Sequence, residues 1–178
     1  MIKSCMELER LYGSSKCKCA QYRKHFSCGE CERQSVSPHS PGLVKDEEIL
    51  IRVVFPVQID GGHVSLSSLV GTDGRGVSVI REAYVTKEDL ALKKRVLASG
   101  RSVTVDEVRM AKVLCREIRK IRRDGKQAFE IYDSASKTDR SHADICRAAC
   151  VAKNDPERKI AIQDVQEQLM NCFLLLPD

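Results

Sequence analysis

Four cysteines lie close together near the start of the chain and constrain how that segment can fold. Cys17 and Cys19 form a C-x-C pair, and Cys28 and Cys31 form a C-x-x-C pair eight residues later. Zinc takes four thiolates in a tetrahedral arrangement, with each sulfur about 2.3 Å from the metal, and two close cysteine pairs can provide them. The spacing therefore predicts one structural zinc bound by these four side chains.

Other interpretations of this segment stay open. Cys5 or His25 could replace one ligand, Cys28 and Cys31 could form a redox pair, or the cysteines could carry no metal. The redox interpretation is weakened because no βαβ pattern surrounds the motif. Basic side chains flank the cluster and would either offset the charge of a thiolate site or contact phosphates: Lys16, Lys18, Arg23, Lys24 and Arg33.

The start of the chain bears on the compartment and hence on the nine cysteines. The first residues lack an apolar segment followed by small residues, and the chain has no run of about 18 apolar residues. We therefore expect a cytoplasmic protein without a membrane partner, in which metal binding or burial outranks disulfide formation. Cys115, Cys146, Cys150 and Cys172 fall on apolar faces of predicted helices, which indicates core positions.

A stretch rich in proline, serine and glycine divides the chain. Residues 35–42 read SVSPHSPG, and two prolines, three serines and a glycine continue neither a helix nor a central strand. The sequence thus predicts a cysteine-rich zinc-binding module at 1-34, a linker at 35-45 and an α+β main domain at 46-178.

The main domain mixes strand and helix signals. Strands are predicted to end near Phe55 after a β-branched run, at 77–80, and at 127–132. Helices are predicted at 86–98, 104–123 and from Asp155 to about Cys172, each opened by a capping residue. The expected fold is α+β, a small mixed or antiparallel sheet packed by three to four helices and preceded by a zinc-stabilised N-terminal module.

The predicted helix at 104–123 would carry a basic stripe. At about 100° per residue, six cations share one arc opposite an apolar face: Arg109, Lys112, Arg116, Arg119, Lys120 and Arg123. Like charges three and four residues apart repel each other, so this pattern favours an acidic protein surface or a nucleic-acid backbone as partner. A plain solvated face is the alternative.

The loop Ser141-His142-Ala143-Asp144 is the place where acid–base chemistry looks feasible. On a strand, His142 and Asp144 would point to the same face, whereas on a helix they would point apart. Asp133 and Asp139 could add carboxylates. The alternative is structural, with Ser141 or Asp144 capping the next segment and His142 bonded to a carbonyl.

Charge and composition limit the function classes. The net charge of +5 leans mildly toward anionic partners, and aromatic residues at 4% leave little material for base stacking. We expect a non-enzymatic accessory or adaptor protein that docks on nucleic acid or a nucleoprotein through phosphate contacts, using the zinc module and the basic stripe. The alternatives are a small hydrolase or nuclease using His142 with nearby aspartates, and a purely protein–protein subunit.

Overall fold

The computed structural model describes residues 4–27, 29–148 and 158–177 and has a mixed α+β fold. The strands are β1 (Ile49–Val54), β2 (Ile59–Asp60), β3 (His63–Val64), β4 (Val77–Arg81), β5 (Arg109–Leu114), β6 (Arg122–Arg123), β7 (Lys126–Gln127), β8 (Phe129–Tyr132), β9 (His142–Arg147) and β10 (Leu174–Leu175). The α-helices are α1 (Cys5–Tyr12), α2 (Lys18–His25), α3 (Lys87–Ser99), α4 (Cys115–Lys120) and α5 (Arg158–Asn171), and Pro56–Gln58, Leu66–Asp73 and Glu82–Tyr84 form 3-10 helices.

Six strands form one antiparallel sheet in the order β10-β5-β1-β4-β9-β8, while β2-β3 and β6-β7 form separate two-stranded pairs. The expected α+β class with an antiparallel sheet is confirmed. Within the described ranges, no helix is long and apolar enough to cross a membrane.

Several local predictions are confirmed. Strands occur at all three predicted places, as β1, β4 and β8. Helix α3 begins where expected, because the Thr86 side chain accepts a hydrogen bond from the backbone N–H of Asp89 and caps the first turn. Cys150 and the predicted start of the last helix at Asp155 lie outside the described residues.

The predicted helix at 104–123 is wrong. Thr104 does contact Glu107 as a capping box would, with its N–H 2.7 Å from the carboxylate, but the chain then enters β5. Every residue of β5 is paired with β1, from Ile49 opposite Leu114 to Val54 opposite Arg109. This long ladder outweighs the helical spacing of the apolar residues, and α4 takes up only Cys115–Lys120.

One face of the sheet packs against α4, α5 and the 3-10 helix Leu66–Asp73. Ile118, Leu169 and Leu69 from these elements share one buried cluster with strand residues such as Val113 and Ile145. This is the larger apolar core. It leaves the opposite face of the sheet to be covered by other elements.

The opposite face is covered in two parts. The α3 cover, α3 with the following residues to Arg101, packs over β1, where Ala98 joins Ile51 and Phe55. The N-terminal cover, residues 4–27 and 29–36, packs over β8 and β9, where Leu8 and Tyr22 join the strand residues Tyr132 and Cys146. A strip of β4 and β9 lies between the two covers.

The predicted linker is fixed to the sheet. The Asp133 carboxylate accepts hydrogen bonds from the Val36 N–H at 3.3 Å and from the Ser40 hydroxyl. The buried Arg81 guanidinium donates at 2.7 Å to the carbonyl of Gly42 and forms a 2.7 Å ion pair with Glu48. The division at 1-34, 35-45 and 46-178 stays a prediction, but its first two segments pack directly on the third.

Candidate functional site

A cleft of about 610 Å³ lies between the α3 cover and the strip of β4 and β9 beside it. Ser78 of β4 and His142 of β9 lie on its floor, and both project from the same face because Ser78 is opposite Asp144 and Ile80 is opposite His142 in the ladder. Leu92 and Val96 of α3 form an apolar wall. The cleft therefore combines polar groups on its floor with hydrocarbon on one side.

The cleft is rich in positive charge. Arg52, Arg75, Lys93 and Arg101 line it together with one acidic residue, Asp139. Lys93 forms an ion pair with Asp139, so these two charges largely offset each other. Among the described residues, no carboxylate forms an ion pair with the three arginines, and their charges favour an anionic ligand.

Arg52 is positioned by a gap in the sheet. Within the described strands, β1 pairs with β4 only at Leu50–Arg81 and Ile51–Ile80, which leaves the Ser78 carbonyl without a partner from β1. The Arg52 guanidinium fills the gap, donating at 2.7 Å to the Ser78 carbonyl and at 3.2 Å to the Ser68 carbonyl. This cation is thus built into the cleft from the middle of an apolar strand.

The environment of Arg52 is unfavourable for its charge. Burial, helped by the nearby charge of Arg101, lowers the pKa of the Arg52 guanidinium to about 10. Its Nε is buried and has no hydrogen-bond partner in the described part of the chain. An anion in the cleft would stabilise the charge of this guanidinium.

His142 links the floor of the cleft to a buried acid. Its Nε2 lies 3.1 Å from the Ser78 hydroxyl, and its Nδ1 lies 2.8 Å from the Ser134 hydroxyl. The Ser134 hydroxyl donates to Asp144, so its oxygen accepts from the Nδ1–H of His142. Nε2 then carries the lone pair and faces the Ser78 hydroxyl, which also donates to Oδ1 of Asp144 at 3.4 Å.

Asp144 is fully enclosed. It is 2% exposed and accepts a 2.5 Å hydrogen bond from Lys18 of α2, itself 3% exposed. Burial raises the pKa of the Asp144 carboxyl, but the charges of His142 and Lys18 and the hydrogen bonds from Lys18 and Ser134 outweigh burial and hold the pKa below its usual value. The acid behind His142 therefore remains ionised.

A glycine-rich loop allows the close approach around Asp144. Gly76 has φ +95°, and a Cβ there would lie 3.0 Å from the Cβ of Asp144. The Gly74 carbonyl accepts a 2.7 Å hydrogen bond from the Cys19 N–H and so joins the loop to α2. Glycine at position 76 is required both by backbone conformation and by space.

The expectation that His142 and Asp144 share one face holds, since both lie on β9. Their shortest separation is 3.7 Å from Nδ1 to the carboxylate, so Ser134 mediates between them. Asp139 also reaches the cleft, whereas Asp133 bonds the 35–45 segment instead. The structure thus assembles this cluster with one of the two additional aspartates.

The six basic residues expected to form a stripe do not share a helix face. Three lie in or next to strands, and each of the six has an intramolecular partner: Arg109 with the Leu176 carbonyl, Lys112 with Glu82, Arg116 and Lys120 with Glu117, Arg119 with Glu32 and Asp46, and Arg123 with Asp124. They are absent from the lining of the cleft. The proposed stripe fails because β5 replaces the first half of its helix.

The cysteines of the predicted zinc cluster are paired differently. Cys19 forms a disulfide with Cys146, Cys31 forms one with Cys5, and Cys17 is a free, exposed thiol. The expectation that burial or metal binding outranks disulfide formation is therefore wrong for these pairs, and Cys146 is not a helical core residue. Cys28 lies outside the described residues. In the described part of the chain, no group of three or more His, Cys, Asp or Glu is placed to hold a metal.

Sequence reasoning did not find Arg52, Ser78, Ser134 or Arg101 as site residues. Arg52 did carry a signal, since it is one charge inside the apolar run EILIRVVF. Ser78, Ser134 and Arg101 lie in no motif. Sheet pairing brings Ser78 and Ser134 to His142, and the packing of α3 on the sheet brings Arg101 to the cleft.

No protein-family model, curated protein or solved structure matches this chain.

Proposed function

We propose that the cleft binds a phosphate-bearing ligand. The observation that carries the proposal is the set of three arginines, Arg52, Arg75 and Arg101, that line the cleft without a carboxylate partner in the described part of the chain. Guanidinium groups match the planar oxygen pairs of phosphates, and such charge-assisted hydrogen bonds are stronger than neutral ones. Arg52 is also partly desolvated, so the attraction between its charge and an anion in the cleft is screened less by water.

Nucleic acid or a nucleoprotein remains the partner class that this proposal favours. A phosphate group of such a ligand would lie over Ser78, and the sparse aromatic residues favour contacts to phosphate rather than to bases. The protein would then act as an accessory or adaptor. The six basic residues at 109–123 support this less, because their charges already have intramolecular partners.

Arginine variants test the proposal. Arg101→Gln and Arg75→Gln remove exposed cations of the cleft, and Arg116→Gln removes an exposed cation outside it, at equal cost in net charge. Because a hydrogen bond to a charged group contributes about 1.5–3 kcal/mol, each cleft variant should weaken binding of inorganic phosphate and of a short oligonucleotide about tenfold or more. Isothermal titration calorimetry measures both affinities.

The control variant Arg116→Gln shows which result would contradict the proposal. Arg116→Gln should leave phosphate affinity within about twofold of the wild type. If Arg116→Gln and Arg101→Gln weaken binding equally, the anion senses only net charge and the cleft is not its site.

A hydrolase acting through His142 is the second candidate. The observation that favours it is the position of Nε2 on the floor of the cleft, 3.1 Å from the Ser78 hydroxyl, with Nδ1 connected through Ser134 to the ionised Asp144. A general base needs this arrangement of an accessible nitrogen and an oriented second nitrogen.

Zinc binding by the reduced chain stays a separate proposal. Reduction would return Cys19 and Cys31 to thiols, and thiolates rather than disulfide sulfurs bind zinc. Protein prepared with reductant and without chelator should then contain zinc by elemental analysis and lose it in Cys28→Ser/Cys31→Ser. A metal-free preparation would contradict this.

A further inference from the structure

We propose that Ser78 is a catalytic nucleophile that attacks the phosphorus atom of a phosphate ester in the cleft, with His142 as its general base. The inference rests on the proposed binding of phosphate by the cleft. It adds a covalent step and names the residue that forms the bond.

The positions of the two residues carry the proposal. Ser78 is an exposed residue on the floor of the cleft, and its hydroxyl lies 3.1 Å from Nε2 of His142. A nucleophile and its base should lie about 2.6–3.2 Å apart, with a third group orienting the base. Ser134 is that third group, at 2.8 Å from Nδ1.

The hydrogen-bond chain fixes the direction of proton transfer. Lys18 and the Ser134 hydroxyl both donate to Asp144, so Ser134 has only its lone pairs to offer to His142. The proton of neutral His142 therefore resides on Nδ1, and Nε2 offers its lone pair to Ser78. The Ser78 hydroxyl lies closer to Nε2, at 3.1 Å, than to its other acceptor, Oδ1 of Asp144, at 3.4 Å, so Nε2 is the base placed to take its proton. Ser134 and Asp144 are positioning residues, because they act through His142.

Arg52 places positive charge next to the reacting atom. Its guanidinium donates to the carbonyl of Ser78 itself and has an unpartnered Nε. Its positive charge, held at the backbone of the nucleophile, would stabilise the negative charge of the transition state.

The reaction balances with water as the second reactant. As the Ser78 Oγ bonds to phosphorus, its proton passes to Nε2, the bond from phosphorus to the ester oxygen breaks, and the leaving oxygen takes the proton from Nε2. Water then attacks the phosphoserine, gives one proton to Nε2, and Ser78 leaves with the bonding electrons and regains that proton. The products are an alcohol and inorganic phosphate.

The wall of the cleft favours an apolar ester group. Leu92 and Val96 are 55% and 62% exposed, and an aromatic or aliphatic leaving group would cover them. An aryl phosphate monoester is therefore a suitable probe, and 4-nitrophenyl phosphate reports turnover by its colour.

The test combines turnover with detection of the adduct. Wild-type protein is incubated with 4-nitrophenyl phosphate, quenched in acid and digested, and mass spectrometry should find a phosphoryl group on Ser78. Ser78→Ala and His142→Gln should lose the adduct and about 100-fold or more in kcat. Ser134→Ala should lower kcat with KM unchanged, and Ser67→Ala, an exposed serine outside the cleft, should change neither.

The contradictory results are distinct from failure of phosphate binding. Wild-type protein that binds inorganic phosphate but forms no adduct on Ser78 overturns this inference alone. Full turnover in Ser78→Ala with loss in His142→Gln also overturns it, because His142 would then activate water directly. Wild-type protein that binds no phosphate overturns the proposed function as well.

Discussion

The N-terminal cover and the α3 cover lie on the same face of one sheet, yet they are attached to it in different ways. The N-terminal cover is cross-linked to β9 through Cys19–Cys146 and is held by a buried ion pair between Lys18 and Asp144. The α3 cover packs through Ala98, and its ion pair, Lys93 with Asp139, is about a quarter exposed on each side at 26% and 28%.

The two covers therefore contribute to the cleft in different ways. The N-terminal cover does not line the cleft, but its buried ion pair holds Asp144, which lies behind His142 on the cleft floor. The α3 cover forms a wall of the cleft with exposed apolar side chains that a ligand would cover. Chemistry is expected at the floor, at Ser78 and His142, and adaptation to different ligands at the α3 wall.

Removing the cross-link should have the largest effect. The Cys19–Cys146 disulfide closes a span of 127 residues and Cys5–Cys31 one of 26 residues. In the loop-entropy description these contribute about 5 and about 3.5 kcal/mol. Cys19→Ser/Cys146→Ser should therefore destabilise the protein more than Cys5→Ser/Cys31→Ser, and urea unfolding measures both.

Limited proteolysis of the same double variants shows which cover is loosened by loss of each disulfide. Loss of Cys19–Cys146 should make residues 4–25 more accessible to protease than the α3 cover. Equal cleavage in both covers, or equal stability of the two double variants, would contradict the comparison.

Matched lysine substitutions should have the next largest effect. Lys18→Met leaves the buried Asp144 without the cation that is hydrogen-bonded to it, which costs about 3–5 kcal/mol, whereas Lys93→Met breaks a partly exposed pair worth about 0–1 kcal/mol. Thermal and urea unfolding of the two variants measure the difference. Equal losses would show that the covers are held alike.

The lysine comparison has a defined pH dependence. Because the pKa of Asp144 is held below its usual value in the folded protein, its ionised form contributes stability above the unfolded pKa. That contribution is lost as the pH falls through the folded pKa. The deficit of Lys18→Met relative to the wild type should therefore shrink in acid, and a deficit independent of pH would contradict the role of the ion pair.

The smallest effect is expected on the α3 wall. Leu92→Ser changes a side chain that is 55% exposed, so the free energy of unfolding should change by less than about 0.5 kcal/mol. The same variant should weaken binding of 4-nitrophenyl phosphate several-fold but leave inorganic phosphate unaffected. Calorimetry with both ligands tests this, and Val57→Ser, exposed outside the cleft, is the control.

Local signals predicted much of the fold and little of the site. Strand β1 and the capped start of α3 follow from nearby residues, and the shared face of His142 and Asp144 follows once β9 is a strand. The helix at 104–123 failed because its apolar spacing suits a helix, while the deciding contact is a ladder to β1 more than fifty residues away. The same holds for Cys19, whose partner is 127 residues distant.

Mapping where phosphate binds tests the central claim most directly. Nuclear magnetic resonance titration of ¹⁵N-labelled protein with inorganic phosphate should give saturable shifts at Ser78, Arg101 and His142, including the His142 ring nitrogens. Shifts at residues 109–123 should stay small. Saturable shifts concentrated at 109–123, or shifts spread evenly over surface lysines and arginines, would contradict the assignment of the cleft as the binding site.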